Sequence, residues 1–377
     1  MKFYLVGGAI RDLLQGRCPH ELDFVFSGCR EDFLSTHPDA RPVGKSIKVC
    51  LWQGRECMPL QGGHILKDLA TRDLTVNALA LDSTGRLFFH PQALEDLQNK
   101  ILRPASSGAL ARDPARVYRL ARFAALWPDW QISEEAIEQM RSLSTVNLAT
   151  LPAERVGREL IKALHGAKPG HFFKVLVEGK ALLPWFKELA DTMHIPAGST
   201  AWQENSVLGH SLRIMNAVAG DPLAAWMALC HDLGKMKISP AMLPHHYEHK
   251  QRGVDLAVAL ARRLRLSAIH AKAGALSCTE HMKAGIYEQL RPATRRDLLW
   301  RVHHSGFGPS FWRMIDAKSG KTISATAMAD LQAILSVHLP VVWRDKGRQS
   351  ANYLRQMHCR VLAEQIRHRN GVLGQIS

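Results

Sequence analysis

Phe3 to Val6 is an apolar run that ends at Gly7-Gly8 and gives way to a helical pattern. Asp23–Phe26, 48–52 and Leu87–Phe89 are further short runs bounded by Gly, Pro and Asp, the punctuation expected of strands. Residues 1 to about 110 therefore predict an α+β head, a small mixed sheet with helices. After the segment LRPASSGALARDP almost every periodic stretch reads helical. Within 116–127, Val117, Leu120, Phe123, Ala124 and Trp127 form one apolar stripe, while Arg116, Arg119 and Arg122 line another side. A neck helix with a basic face is predicted there. Helices continue to about 190, and IPAGSTAWQEN at 195–205 reads as a linker into a second helical unit. The expected divisions are a head at 1–110, a helical neck and body at 111–200, a second helical domain at 201–320 and a helical basic tail at 321–377, which includes the apolar piece Ala327–Val337.

Charge narrows the partners. The 377 residues carry 49 Lys and Arg against 34 Asp and Glu, a net charge of +15, which favours a polyanion. No apolar run approaches the roughly twenty residues of a spanning helix, and Met1-Lys2 leads into a strand with no signal-peptide character, so no membrane partner and a cytoplasmic location are expected. The seven cysteines form no CxxC pair. Reduced thiols are expected, with neither a disulfide framework nor a zinc knuckle.

The chemistry begins at LVGGAIRD, residues 5–12. Gly7 and Gly8 allow close backbone approach, and the following helix would turn its free amides and Arg11 towards phosphates. Glu21 and Asp23 are two apart on extended backbone, so both carboxylates share a face, a donor pair suited to Mg²⁺ beside a phosphate. In LKDLATRDLTVNALALD, residues 66–82, Arg72, Asp73 and Asn77 suit phosphate, ribose hydroxyl and loop hydrogen bonding respectively. ARDPARVYRLARFAA at 111–125 and LPAERVGREL at 151–160 follow. In this order and spacing the blocks resemble the bacterial class II tRNA nucleotidyltransferases, the CCA-adding and poly(A) polymerase family, over roughly residues 1–285.

The resemblance implies a nucleotidyltransferase head, a base-reading and tRNA-binding neck, and transfer of nucleotides from CTP or ATP to tRNA with Mg²⁺. The family's metal pair is Asp-x-Asp; Asp23 matches, with Glu21 in the first position. Glu56 in RECMPLQ matches a third carboxylate, though a solvated strand residue is an equal reading, and Gln61 stands where the family has an arginine. Gly8 and Arg11 are implied to meet the triphosphate, and Arg72 and Arg119 to make further nucleotide contacts. Asp113 and Arg116 match the Asp and Arg of a Glu-Asp-x-x-Arg template for the base, with Arg112 in place of the Glu. Asp113 followed by Pro114 is equally a helix cap. Arg122 reads as basic surface or RNA contact, Glu154 and Arg155 as helix buttresses. CCA-adding members carry a flexible loop before the Arg-Asp motif; here only GGHILKDLAT, ten residues, separates Gln61 from Arg72, as in the CC-adding subgroup.

From 206 onward histidines accumulate. His210 lies in an amphipathic stretch, LCHDLGKM supplies His231-Asp232, and His245, His246, His249 and His281 follow. This resembles the HD phosphohydrolases, in which a divalent metal activates water against a phosphoester. The implied ligands are His210, His231, Asp232, His246, His249 and His281, with Asp297 or Asp316 as the final carboxylate and the metal's identity open. Three functions stay in play: a metal-dependent tRNA nucleotidyltransferase with an HD domain, an HD phosphohydrolase with a degenerate head, and an RNA-binding protein without turnover.

Overall fold

The computed structural model describes residues 1–19, 21–43, 49–195, 206–235 and 249–373, the side chains of 249, 250 and 370–373 excepted. Its first element is the seven-stranded sheet of the head. The strands are β1 (Phe3–Val6), β2 (Asp23–Phe26), β3 (Arg41–Val43), β4 (Val49–Trp52), β5 (Arg55–Pro59), β6 (Leu79–Asp82) and β7 (Leu87–Phe89). They lie in the order β3-β4-β5-β2-β1-β6-β7. Only β2 and β5 run parallel; the other neighbours are antiparallel, which makes the sheet mixed.

Alternation along the strands explains why this sheet is covered on both faces. Tyr4 and Val6 join Val25, Ile65, Leu69 and Ala80 in one apolar cluster, whereas Phe3 packs against a second cluster of Phe26, Phe33, Cys50 and Cys57. Phe26 and Phe33 stack with ring centroids 4.3 Å apart. Each fully buried ring of this kind contributes on the order of 2 kcal/mol. The β1–β2 register pairs Val6 with Asp23, and β2–β5 pairs Phe24 with Cys57, so the chain's paired carboxylate lies beside the end of β1 and Glu56 lies one strand away.

Between β1 and the helix Gly8–Leu14 the chain turns at Gly7, whose φ of 75° is a left-handed conformation that favours glycine. The Gly7 N–H donates to Leu79 O at 2.9 Å, which ties the turn to β6. Beyond the sheet the chain is helical, as the change of period predicts, apart from the short parallel pair Ile101–Leu102 and Gln131–Ile132. The neck helix spans Ala115–Leu126 and buries Val117, Leu120, Phe123 and Ala124. Arg122 is buried as well and pairs with Glu159 at 2.6 Å, which corrects its reading as basic surface.

Two compact units divide the chain: residues 1–159 with 171–184, and 160–170 with 185–377. The second unit is built from the helices Val207–Ala217, Pro222–Cys230, His249–Arg263, Ala268–Gly285, Pro292–His304, Gly308–Ser319, Ile323–Leu335 and Arg348–Leu373, among others. Of the predicted linker at 195–205, residues 196–205 lie outside the described residues. No helix among the described residues is long and apolar enough to cross a membrane.

Candidate active site and metal centre

At the head, Asp23 is half-buried at the start of β2. Its carboxyl is pushed up from the ordinary range by burial and by the charges of Glu56 and Glu21, against the opposing pull of Arg72 and Arg119. The three predicted carboxylates therefore share one electrostatic neighbourhood. Mutual repulsion of this kind is relieved by a cation, and three oxygen donors suit a hard divalent ion. Among the described residues they do not close to within 4.8 Å of one another as a preformed three-donor cluster. Glu21 and Glu56 are exposed.

Behind this face runs a chain of polar contacts that sequence spacing did not reveal. Arg11 donates Nη1 to Asn77 Oδ1, Asn77 donates Nδ2 to Asp73 Oδ1 at 3.1 Å, and Arg119 donates Nε to Asp73 Oδ2. Asp73 also accepts the Leu74 N–H at 2.8 Å. Burial alone would raise the Asp73 carboxyl, but the Arg119 charge and these hydrogen bonds outweigh it and hold the group at about 2. Asp73 in turn raises Arg119 further above its ordinary value. Arg11, Asn77, Asp73 and Arg119 thus form one linked unit, with Asp73 and Asn77 as its buried centre.

Arg72 is held differently. Its Nη2 and Nε donate to Asp68 Oδ2 at 2.8 and 3.1 Å, and the other Asp68 oxygen accepts the Gln61 N–H at 3.0 Å. Asp68 is buried at 2 % exposure and so ties both ends of the ten-residue connection together. Nothing in the motif pattern singled it out; its spacing of four before Arg72 on a helical segment was the available signal.

Asp113 and Arg116, expected from the resemblance to read the base, are engaged within the protein. Arg116 donates to the carbonyls of Thr71, Arg72 and Ala109 at 2.7 to 3.1 Å. Burial lowers its guanidinium from the ordinary value. Asp113 Oδ1 accepts the Ala115 N–H at 3.2 Å from one residue before the helix's N-cap, which is Pro114 and not Asp113, while Oδ2 accepts from Arg155 at 2.8 Å. Arg155 does buttress, then, and its target is Asp113. Arg112, which replaces the family's Glu, donates to Ser106 Oγ and to Ala70 O.

In the second unit, His210, His231 and Asp232 bring one donor atom each within 4.8 Å of one another. His231 and Asp232 follow directly on the helix Pro222–Cys230, and His281 comes from Ala268–Gly285. His231 Nδ1 donates to Ala228 O at 2.7 Å and His281 Nδ1 to Ser277 O at 2.8 Å. These bonds put the protons on Nδ1 and leave the Nε2 lone pairs pointing inwards. His231 Nε2, His281 Nε2 and Asp232 Oδ1 are buried with no hydrogen-bond partner, although the two nitrogens lie 3.2 and 3.3 Å from Asp232 oxygens. Burial brings His231 down to about 4, so its imidazole is neutral. Asp232 is buried between the two imidazoles, and the Lys235 ammonium 2.8 Å from its Oδ2 is the paired cation that keeps it ionised. Orphaned lone pairs converging on an ionised carboxylate are what a divalent metal would satisfy, so the residues fit such a group.

His246 lies outside the described residues, and His249 begins the helix His249–Arg263. Neither proposed final carboxylate joins the converging group: Asp297 accepts from Arg355 at 2.7 and 3.1 Å, and Asp316 Oδ1 accepts the Ser324 N–H at 2.9 Å. Lys235 Nζ, from the same LCHDLGKM block, donates to Asp232 Oδ2 at 2.8 Å.

Comparison with known proteins gives a consistent neighbourhood. A family model described as the probable RNA and SrmB-binding site of polymerase A matches residues 129–193. A protein named multifunctional CCA protein from Nitrosococcus oceani is 34 % identical over 326 residues, 80 % of this chain and 80 % of that protein. Its namesake in Aromatoleum aromaticum is 30 % identical over an alignment covering 98 % of this chain and 99 % of the relative. Among solved structures, the Thermotoga maritima CCA-adding enzyme complexed with tRNA superposes with a TM-score of 0.66 at 15 % identity, covering 100 % of this chain and 92 % of that one. The Bacillus stearothermophilus CCA-adding enzyme in complex with CTP gives 0.62 at 19 % identity, covering 100 % and 95 %.

Proposed function

Since the chain belongs to the family of the bacterial multifunctional CCA proteins and is a class II tRNA nucleotidyltransferase, we propose that it extends tRNA 3′ ends from CTP and stops after two C residues. The observation that carries the specificity is the closed connection between Gln61 and Arg72. It is occupied by the turn Gln61–Gly63 and the helix Ile65–Leu69, and Asp68 fastens Gln61 and Arg72 to each other. A segment so short and so tied supplies no lever to reorient Asp113 and Arg116 from cytosine to the larger adenine. The base edge would be read by Arg116 as paired donor and Asp113 as acceptor, once a bound nucleotide competes with their present partners.

Glu21, Asp23 and Glu56 are the residues that would hold Mg²⁺, which supplies charge neutralisation at the triphosphate and activation of the tRNA 3′-hydroxyl. Gly8, Arg11, Arg72 and Arg119 would orient the phosphates, with Asp73 and Asn77 fixing the arginines and meeting the ribose. The test is a tRNA ending at its discriminator base, supplied with CTP and ATP together, with product length read by gel and sequencing. A product that ends in CC is expected. One ending in CCA refutes the specificity, and A added only to tRNA already ending in CC assigns adenylation instead.

A second activity is favoured by the orphaned nitrogens of His231 and His281 beside Asp232. With His210, and with His246 and His249 as further ligands, these residues would hold a divalent metal that supplies a polarised water for phosphoester hydrolysis. Lys235, 2.8 Å from the same carboxylate, would donate to a phosphate oxygen.

A further inference from the structure

Arg11 is held in a way that an ordinary surface arginine is not. Its Nε and Nη2 donate to Asp12 Oδ1 at 3.0 and 2.7 Å, and its Nη1 donates to Asn77. A guanidinium has five N–H donors, so these contacts leave two for a ligand. The face of the group is occupied by a ring: the guanidinium carbon lies 4.6 Å from the Trp127 centroid. Gly8 leaves the room this placement needs, because a Cβ there would stand 3.3 Å from Arg11 Nη2.

Trp127 caps the C-terminal end of the neck helix Ala115–Leu126. It stacks on Phe123, with centroids 4.7 Å apart and planes 16° from parallel, and leans on Trp130 at 4.7 Å. The Phe123 ring also lies 4.3 Å from Arg122, 5.5 Å from Arg119 and 5.8 Å from Arg11. Three guanidinium groups around one aromatic stack would repel one another, but each has its own carboxylate: Asp12, Asp73 and Glu159. The stack is therefore more than apolar filling, since each of its rings presents a face to a cation.

We propose that the Phe123–Trp127 stack is a positioning device that holds Arg11, and with it Arg119, for the triphosphate of the incoming nucleotide. It rests on the reading of Arg11 as a phosphate contact. Cation–π contact takes the face of the guanidinium and leaves its N–H edge available, so one arginine can serve ring and phosphate together. Arg116 sits on the helix that carries the stack, so Trp127 also sets the distance between the phosphate contact and the base-reading side chain.

Inorganic triphosphate is the probe that isolates the phosphate contact, used as a competitive inhibitor of C addition by the full-length protein. Arg11→Ala is expected to raise its inhibition constant and the KM for CTP by about tenfold or more; Trp127→Leu is expected to raise both by about tenfold while its kcat is nearly preserved. Inhibition by cytidine, which lacks phosphates, is expected to stay unchanged in both. Tyr and Phe at position 127 should restore most of the loss, in the order of their strength towards cations. If Arg11→Ala has no effect on triphosphate inhibition, the phosphate reading falls and this proposal with it. If Arg11→Ala weakens triphosphate but Trp127→Leu does not, or if Trp127→Leu weakens cytidine equally, the positioning role alone is overturned. Should the Leu variant fail to fold, a flat response across Trp, Tyr and Phe overturns it as well.

Discussion

Asp23 and Asp73 are two aspartates of one site with opposite electrostatic fates. Asp23 is pushed up by burial and by two neighbouring carboxylates, so in the cation-free protein its ionised form opposes folding at neutral pH. Asp23→Asn is therefore expected to raise the thermal midpoint measured in a chelator while lowering nucleotide transfer roughly 100- to 1000-fold or more, the trade expected where function maintains strain. A lowered midpoint would contradict the electrostatic account even if activity is lost. Asp73 has a folded value of about 2 against an ordinary 3.8. Its contribution is fully present above the unfolded value and is lost as pH falls towards 2. Asp73→Asn should cost about 2 kcal/mol near neutrality, by urea unfolding, with the difference from the parent protein closing progressively below pH 4. A gap that persists unchanged at acid pH would assign the loss to packing instead of charge.

Whole elements were legible where their pattern is local. The strands Phe3–Val6, Asp23–Phe26 and Leu87–Phe89 stand where the short runs bounded by Gly, Pro and Asp place them, and the neck helix buries the predicted stripe. Predicted strand 48–52 appears as Val49–Trp52, with Lys48 outside the described residues. The strand Arg41–Val43 has three exposed residues and no apolar signal, so only pairing with Val49–Trp52 reveals it. The site followed the same rule. Motif residues could be named, but Asp68, Asp12 and Glu159 act through partners that spacing in the sequence does not mark, and Trp127 read only as core. The C-terminal helices give the clearest case of a hidden tertiary tie. Asp330, fully buried, accepts from Arg295 at 3.1 Å, Arg369 at 2.7 Å and Tyr287 Oη at 2.9 Å. It thereby joins Pro292–His304, Ile323–Leu335 and Arg348–Leu373, a region where the family resemblance had faded. Asp330→Ala strands two arginines and is expected to cost about 3–5 kcal/mol in chemical unfolding. A loss below about 1 kcal/mol would mean that water replaces the carboxylate without penalty.

For the molecule as a whole, the excess of fifteen positive charges makes affinity for tRNA a matter of counterion release. If about six phosphates are neutralised, binding should fall on the order of a thousandfold between about 50 and 200 mM salt, and a flat response would exclude an electrostatic tRNA interface. The proposed transferase residues lie in the first compact unit and His210, His231, Asp232 and His281 in the second, so on the proposed reading the two activities belong to different units. His231→Ala and Asp232→Asn test that separation. Either should deplete the protein of divalent metal after reconstitution and remove hydrolysis of a simple phosphodiester, because the first deletes a proposed ligand and the second discards the charge on which two imidazoles converge. Addition of C to tRNA should remain within about twofold of the parent, since no residue of the transferase site is altered. Metal content by elemental analysis and both activities are measured on one preparation, with the thermal midpoint as the fold control. Loss of transfer alongside hydrolysis, at an unchanged midpoint, would show that the second unit's metal centre serves the transferase after all.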